Sequence, residues 1–96
     1  MLLLITYDVN TTDRSGQRRL TKIAKLCCDY GQRVQNSVFE CDLDQTQYLF
    51  FKDKLLSLMD VERDSLRIYR LGNNYRSKIE QFGAKQSYDP EGDLIL

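Results

Sequence analysis

The sequence predicts one α/β domain, an α+β sandwich in which two helices lie on the same side of a sheet. Three short segments, residues 2–9, 33–43 and 64–71, are rich in β-branched, aromatic or alternating apolar residues and favour strands. Between them, residues 16–30 and 44–59 have apolar side chains at helical spacing. A chain of 96 residues is long enough for one modest hydrophobic core.

The first strand is expected in the middle of the sheet. Residues 2–9 read LLLITYDV, and alternate side chains from Leu2 to Asp8 share one face, while those from Leu3 to Val9 share the other. Both faces are largely apolar, which is typical of a strand covered on both sides. An ionised Asp8 at its end needs a partner such as a metal or an arginine. Alternatively, Asp8 only begins the following turn.

The first helix is expected over residues 16–30. Asp13 and Ser15 both have side-chain oxygens that could cap its first turn, and Gly31 supplies a C-terminal stop. The outer face of this helix is basic, at a spacing that would follow a phosphate backbone. Its basic residues are Arg18, Lys22 and Lys25, with Arg19 beside them. An ordinary solvated helix face would have the same composition.

The middle of the chain predicts a further strand region and a second helix. Residues 33–43 form either one long strand or two short strands with a bend at residues 36–37. Residues 44–59 then form a helix in which Asp44 and Gln47 resemble a capping pair. The aromatic and leucine stripe of this helix is expected to face the core.

The last third begins with a clearly alternating strand at residues 64–71, followed by a turn at 72–74. Residues 78–82 are expected to form a shorter strand. Beyond them, residues 83–93 read as an acidic linker that contains the only proline. The apolar residues 94–96 are expected to form a terminal strand at a sheet edge, that of this chain or of a partner.

This order of elements describes the ferredoxin-like βαββαβ fold, an antiparallel sheet with both helices on one face, followed here by an extra C-terminal strand. The helices cover one sheet face, yet Leu2 and Leu4 are apolar on the other face. A two-fold dimer that packs sheet against sheet would cover that second face.

Composition excludes several classes of activity. The 14 basic and 14 acidic residues cancel, so no whole-molecule field attracts nucleic acid, although local basic surfaces stay open. The absence of histidine excludes Ser-His-Asp and Cys-His nucleophiles and leaves carboxylate chemistry. The three cysteines suit neither a disulfide framework nor a zinc site and read as core residues. The N-terminal apolar run is too short to cross a membrane and lacks a basic leader, so a cytoplasmic protein is expected.

Four segments in a fixed order resemble one known family. They are ITYDV at the end of the first strand, the arginine-rich first helix, YGQRVQNSVFE in the middle and DSLRIYRL in the later strand. Together they resemble the CRISPR-associated protein two family, the smaller of two near-universal CRISPR adaptation proteins, over nearly the whole chain. The GNNYRSKIE segment and the tail are most similar to the variant that accompanies subtype I-C systems.

The resemblance implies a prokaryotic, cytoplasmic homodimer with a ferredoxin-like domain at residues 1–82. Residues 83–96 would then be a linker and a last strand exchanged onto the partner. It also implies a metal-dependent endonuclease that acts on single-stranded RNA or double-stranded DNA, with Mg²⁺ or Mn²⁺ as cofactor. A structural role is implied as well, in which the protein bridges dimers of the adaptation integrase, CRISPR-associated protein one, during spacer acquisition.

Residue by residue, the resemblance assigns Asp8 as the metal ligand and Tyr7 as its neighbour. Arg33, Ser37 and Phe39 occupy the family's R-x-Q-x-S-V-F positions, with Arg33 and Phe39 as expected nucleic-acid contacts. Because Mg²⁺ prefers hard oxygen ligands and keeps several waters, one Asp8 from each protomer across a dyad would suffice to hold it.

The first helix departs from the family pattern at one position. Arg19 matches a family arginine, but a second arginine that some members carry is Gln17 here, with Arg18 close by. The set of residues that contacts phosphate on this helix therefore stays open.

Three functions stay open on the sequence. In the first, a magnesium-dependent phosphodiesterase, Asp8 binds the metal while Tyr7 and Ser37 hydrogen-bond around it. Arg19 and Arg33 then clamp the phosphate. In the second, the protein is a scaffold that docks the integrase and does not need Asp8. Its contacts to duplex DNA would be Arg14, Arg18, Arg19, Arg76 and Lys78. The third is an unrelated ferredoxin-like regulator that binds a small ligand.

Overall fold

A computed structural model describes residues 1–83 of the chain. Its elements are β1 (Leu2–Asp8), α1 (Arg14–Tyr30), β2 (Gln32–Gln35), β3 (Val38–Asp42), α2 (Gln45–Leu58), β4 (Ser65–Gly72) and a 3₁₀ helix (Arg76–Lys78). The predicted ferredoxin-like α+β fold is confirmed by this order and by the sheet. No helix of the described part is long and apolar enough to cross a membrane.

The sheet is antiparallel, with the strand order β2-β3-β1-β4. Strand β1 therefore lies inside the sheet, as predicted, with β3 on one side and β4 on the other. Its Ile5 pairs with Phe39 of β3 and with Ile68 of β4. These three apolar side chains share a face because cross-strand partners point the same way.

Alternation along β1 decides which side of the sheet is the core. Leu3, Ile5 and Tyr7 are buried and belong to one cluster with residues of α1 and α2, so both helices cover this face. Ile23 of α1 and Phe51 of α2 are among the buried partners. Burial of each such side chain contributes about 1.5–3 kcal/mol relative to exposure, which makes this the main stabilising layer.

We call the opposite side of the sheet the open face. Its β1 residues are Leu4 and Thr6, which are half-buried, and Asp8, which is exposed. Their cross-strand neighbours on this face are Val38, Glu40, Ser65, Arg67 and Tyr69. Leu2 shares the alternation of this face but is fully buried. At that end, buried Tyr75 donates its hydroxyl to Asp42, the β3 partner of Leu2, at 3.4 Å.

Helix α1 begins at Arg14, two residues before the predicted start at residue 16. Of the two predicted caps, Asp13 is the one used, since its Oδ1 accepts from the N–H of Gly16 at 2.8 Å. The Ser15 hydroxyl instead donates to Asp13 at 3.2 Å. The earlier start adds one arginine to the helix.

Boundaries in the middle of the chain follow the predictions closely. The two-strand alternative is confirmed, with a turn at residues 36–37 between β2 and β3. The capping box of α2 is confirmed by reciprocal hydrogen bonds between Asp44 and Gln47. Gly31 ends α1 for a different reason than expected, because its backbone is extended. A side chain there would collide with the carbonyl oxygen of Glu40.

The predicted strand at residues 78–82 is wrong. The N–H of Lys78 donates to the carbonyl of Tyr75 at 2.9 Å, and its ammonium donates to the carbonyl of Leu71 at 2.9 Å. These local bonds coil the backbone into the 3₁₀ helix, and no strand follows it up to residue 83. The predicted exchanged strand at 94–96, with most of its linker, lies outside the described residues.

The cysteines follow the core prediction in two cases out of three. Cys27 and Cys41 are buried in the core, whereas Cys28 is exposed on α1. Burial is the main reason that the pKa of both buried thiols rises to about 12. These two thiols stay protonated at neutral pH, which makes them unreactive.

Candidate functional site

Asp8 is the last residue of the central strand β1, and its side chain lies on the open face. Its side chain is exposed, and its cross-strand partner is Ser65, the first residue of β4. A shallow cleft surrounds this position. Its lining residues are Asp8, Asn10, Thr11, Thr12, Glu62, Arg63, Asp64 and Ser65. The side chain is thus free to meet a ligand that approaches the open face.

A second carboxylate, Asp64, lies beside this cleft but is already satisfied. Its side chain is only 1% exposed, and its two oxygens accept from Nε and Nη2 of Arg19 at 2.8 and 3.1 Å. It also accepts from the main-chain N–H groups of Asp60 and Asn10 at 2.9 and 3.1 Å. The pKa of Asp64 is lowered to about 2, mainly because the Arg19 guanidinium donates hydrogen bonds to it. Asp64 is therefore an ionised structural group.

The donor chemistry of the site fits a hard divalent cation in part. Among residues 1–83, no group of three or more His, Cys, Asp or Glu side chains could hold a metal ion. Mg²⁺ nevertheless binds through one or two carboxylates and keeps several waters. The exposed Asp8 carboxylate fits one such ligand position.

Tyr7 lies on the other side of the sheet from Asp8, because neighbouring strand residues point in opposite directions. Its ring is buried and stacks with Phe39 at a centroid distance of 6.1 Å. Its hydroxyl donates to the carbonyl of Asn36 at 3.3 Å, and its N–H donates to the carbonyl of Ser37 at 3.2 Å. Burial raises the pKa of Tyr7, so it stays neutral. The structure does not bring the Tyr7 hydroxyl to the Asp8 carboxylate.

Arg33 is a further predicted site residue, and it lies beside Phe39. Its guanidinium carbon lies 5.1 Å from the centre of the Phe39 ring, in cation–π geometry. The structure therefore groups Tyr7, Arg33 and Phe39 near the β2–β3 turn, with Ser37 joined through its main chain. Asp8 on one side, and Tyr7, Arg33 and Phe39 on the other, thus lie on opposite faces of the sheet.

The predicted basic residues have different surroundings. Arg14 and Arg18 are exposed on α1 and line a shallow groove with Gln17, Thr21 and Lys22. Arg19 faces away from that groove, since its side chain is 15% exposed and bonded to Asp64 and Ser15. Arg76 and Lys78 lie together on the 3₁₀ helix. Helix α1 therefore carries a more continuous basic surface than the 3₁₀ helix does.

Sequence reasoning did not identify Asp64. It lies 45 residues from Arg19, and at the start of a predicted strand it resembled an ordinary boundary residue. The only local signal was an acidic residue in a stretch that otherwise alternates. Its partner, Arg19, matches a family arginine, and the sequence predicts it as a phosphate contact, whereas the structure bonds its guanidinium to both Asp64 oxygens.

Comparison with known proteins identifies the family. A family model described as CRISPR associated protein Cas2 matches residues 1–79. The chain is 62% identical to the CRISPR-associated endonuclease Cas2 of Halalkalibacterium halodurans, over all of both chains. It is also 62% identical to the CRISPR-associated endoribonuclease Cas2 of Nitratidesulfovibrio vulgaris, over all of this chain and 94% of that one.

A solved structure agrees with this match. Streptococcus pyogenes Cas2, in a crystal structure at pH 6.5, superposes with a TM-score of 0.76 and 48% sequence identity. The match covers 86% of this chain and 100% of the other. The fold, the family model and the full-length relatives thus indicate the same family. The chain belongs to the Cas2 family of CRISPR-associated proteins.

Proposed function

We propose that this chain is a metal-dependent endonuclease of a CRISPR system that hydrolyses phosphodiester bonds in single-stranded RNA or double-stranded DNA. The observation that carries the proposal is the exposed Asp8 carboxylate at the end of the central strand, on the open face. The names of the relatives, endonuclease and endoribonuclease, support a nuclease role. In the cell, the activity would belong to spacer acquisition.

A second copy of the chain would complete the site. The open face has half-buried Leu4 and Thr6 and an exposed Tyr69, so a partner of the same shape could bury them. If the two-fold axis runs along β1, each Asp8 meets its symmetry mate, and two carboxylates face one cation. When bound, Mg²⁺ or Mn²⁺ would neutralise charge on the phosphate and lower the pKa of nearby water.

The chain's own residues would bind and orient the substrate. Arg14 and Arg18 are four residues apart on α1, so they are neighbours on one helix face and can contact successive phosphates. Neither forms an ion pair within residues 1–83. Arg33, stacked over Phe39, offers a further charged edge. Phe39 itself is fully buried, so the contact to a single strand would be made by the exposed Arg33 side chain, whose guanidinium plane can stack on a base.

A second function is favoured by the small number of acidic ligands. Among residues 1–83, no group of three or more His, Cys, Asp or Glu side chains could hold a metal ion, whereas α1 offers a basic groove lined by Arg14, Arg18 and Lys22. In this alternative the protein is a non-catalytic scaffold that bridges dimers of the adaptation integrase, and Asp8 is dispensable. Its DNA contacts would be Arg14, Arg18, Arg76 and Lys78, whereas the predicted contact Arg19 is already bonded to Asp64 and Ser15.

Two assays separate these functions. Asp8→Asn keeps the size of the side chain and removes its charge, and Glu62→Gln does the same at another exposed acidic residue of the cleft. Metal-titrated cleavage of RNA and of duplex DNA should be lost in Asp8→Asn and kept in Glu62→Gln. If Asp8→Asn cuts as fast as the parent, the proposed site is wrong.

The second assay measures spacer integration with the partner integrase. Loss of integration in Asp8→Ala, with the dimer intact by sedimentation, supports a need for catalysis. Integration at the parental rate by a variant that no longer cuts supports the scaffold. In both cases the sedimentation measurement tests the proposed homodimer directly.

We also propose that the protein serves a subtype I-C system in the cytoplasm. The resemblance of residues 72–80 and of the tail to that variant is the support for this assignment. The genes beside its own would decide it, since each subtype has a characteristic set of effector genes.

A further inference from the structure

The segment that follows Asp8 is held by an internal clamp built from Asp64 and Arg19. We propose that Asp64 is a positioning residue, which fixes the Asn10 peptide through this clamp and thereby fixes the direction of the Asp8 carboxylate. The inference rests on the proposed function, because it concerns the same cation site. It assigns a role to a residue that touches neither metal nor substrate.

The first observation is the geometry of the ion pair. The Arg19 guanidinium meets both Asp64 oxygens, at 2.8 and 3.1 Å, which is a bidentate arrangement. Both side chains are largely removed from solvent, at 15% and 1% exposure. Such a pair has one preferred geometry, so it can hold neighbouring groups in place.

The second observation is that this pair binds both main-chain groups of Asn10, its N–H and its carbonyl. The N–H of Asn10 donates to Asp64 at 3.1 Å, and its carbonyl accepts from Nη2 of Arg19 at 3.4 Å. Gly16 packs against the same carbonyl so closely that a side chain there would overlap it. The backbone two residues after Asp8 is therefore fixed from three directions.

The third observation places the clamp on both strands that flank the site. Asp64 immediately precedes Ser65, which is the β4 partner of Asp8. The same side chain thus holds the loop after β1 and the start of β4. An acidic ligand on a dimer axis must point toward its symmetry mate, and a deviation of about 1 Å is enough to weaken such a site.

A neighbouring ion pair provides a matched control. Arg63 and Asp13 also join the turn before β4 to the start of α1, at 3.0 Å. Their side chains are 36% and 47% exposed, and no bond of Arg63 to the Asn10 peptide is present in the described residues. Arg63→Gln therefore removes a connection between the same two segments without releasing the loop.

The test compares Asp64→Asn, Arg19→Lys and Arg63→Gln with the parent dimer. In Asp64→Asn, the Mg²⁺ concentration for half-maximal cleavage should rise about tenfold or more, as is usual when a group that orients a metal ligand is removed. The KM for the nucleic acid should change by less than about twofold, because no phosphate contact is lost. The Mg²⁺ requirement of Arg19→Lys should lie between those of the parent and of Asp64→Asn, since lysine keeps the charge and loses the bidentate geometry.

Two measurements are independent of activity. In apo protein, the Asn10 amide should exchange with solvent faster in Asp64→Asn and in Arg19→Lys, while amides of α2 exchange as in the parent. In a Mn²⁺ titration, paramagnetic broadening of the Val9 and Asn10 amide signals should need more Mn²⁺ in both variants. Arg63→Gln should resemble the parent in every measurement.

The outcomes are distinct. An unchanged Mg²⁺ requirement and Mn²⁺ titration in Asp64→Asn overturns the inference and leaves the proposed function standing. The inference is also overturned if Arg63→Gln raises the Mg²⁺ requirement as much as Asp64→Asn does. It is overturned as well if Asp64→Asn raises only the KM for nucleic acid. If Asp64→Asn does not fold, the same criteria apply to Arg19→Lys. If Asp8→Asn itself leaves the metal response unchanged, the proposed function fails, and the positioning role fails with it.

Discussion

Removal of the Asp64 charge gives the sharpest prediction for stability. The pKa of this carboxyl falls from an ordinary 3.8 to about 2 in the folded protein. Since one pKa unit corresponds to about 1.4 kcal/mol, the ionised form stabilises the fold by about 2–3 kcal/mol at neutral pH. We therefore expect Asp64→Asn to lower the free energy of unfolding by about 2–3 kcal/mol at pH 7.

The same pKa gives the pH dependence of that difference. A depressed pKa means that the unfolded chain binds a proton at a higher pH than the folded protein does. The stabilising effect of Asp64 is complete above about pH 4 and is lost as the pH falls toward about 2. The stability difference between parent and Asp64→Asn should therefore shrink over this range.

Urea unfolding of both proteins, followed by circular dichroism from neutral pH down to about pH 3, measures this difference directly. Arg63→Gln is the control, because its partner Asp13 is exposed and its loss should change stability far less. A difference that stays constant on acidification, or one below about 0.5 kcal/mol at pH 7, would refute the electrostatic account of this clamp.

Three further predictions concern other parts of the chain. Gly16→Ala should destabilise the protein by about 2 kcal/mol or more, measured by urea unfolding, although alanine is the better helix former, because its side chain overlaps the loop carbonyl. Replacement of Arg14 and Arg18 by Gln should weaken duplex DNA binding and reduce the salt-dependence slope by about 2, measured by titration at several salt concentrations. Cys28 should react with a thiol reagent in the native protein, whereas the two buried cysteines should react only after unfolding, as absorbance would show.

Local patterns in the sequence were sufficient for most of the fold. The central position of β1 follows from its two apolar faces, and the capping pair at Asp44 and Gln47 lies within one helical turn. The bend at residues 36–37 was one of two stated alternatives. Each of these depends on residues that are close in sequence, where propensity and periodicity are most informative.

The errors and omissions involve contacts between distant segments. Residues 78–82 have strand-like composition, but the bond from Lys78 back to Leu71 holds the chain in a coil. The pairing of Arg19 with Asp64 spans 45 positions and has no periodic signature. The separation of Tyr7 from Asp8 was implied by strand alternation, yet the family match grouped them because they are adjacent in sequence.

The alternation of Tyr7 and Asp8 on β1 also protects the site against a shift in strand pairing. If β1 slipped by one residue against β3 and β4, the carboxylate would enter the apolar layer under the helices and the aromatic ring would emerge into water. Burial of an unpaired charge costs several kcal/mol, and exposure of the ring forfeits further stability. A misregistered molecule would therefore be strongly disfavoured, so nearly every folded copy presents its acid on the same side.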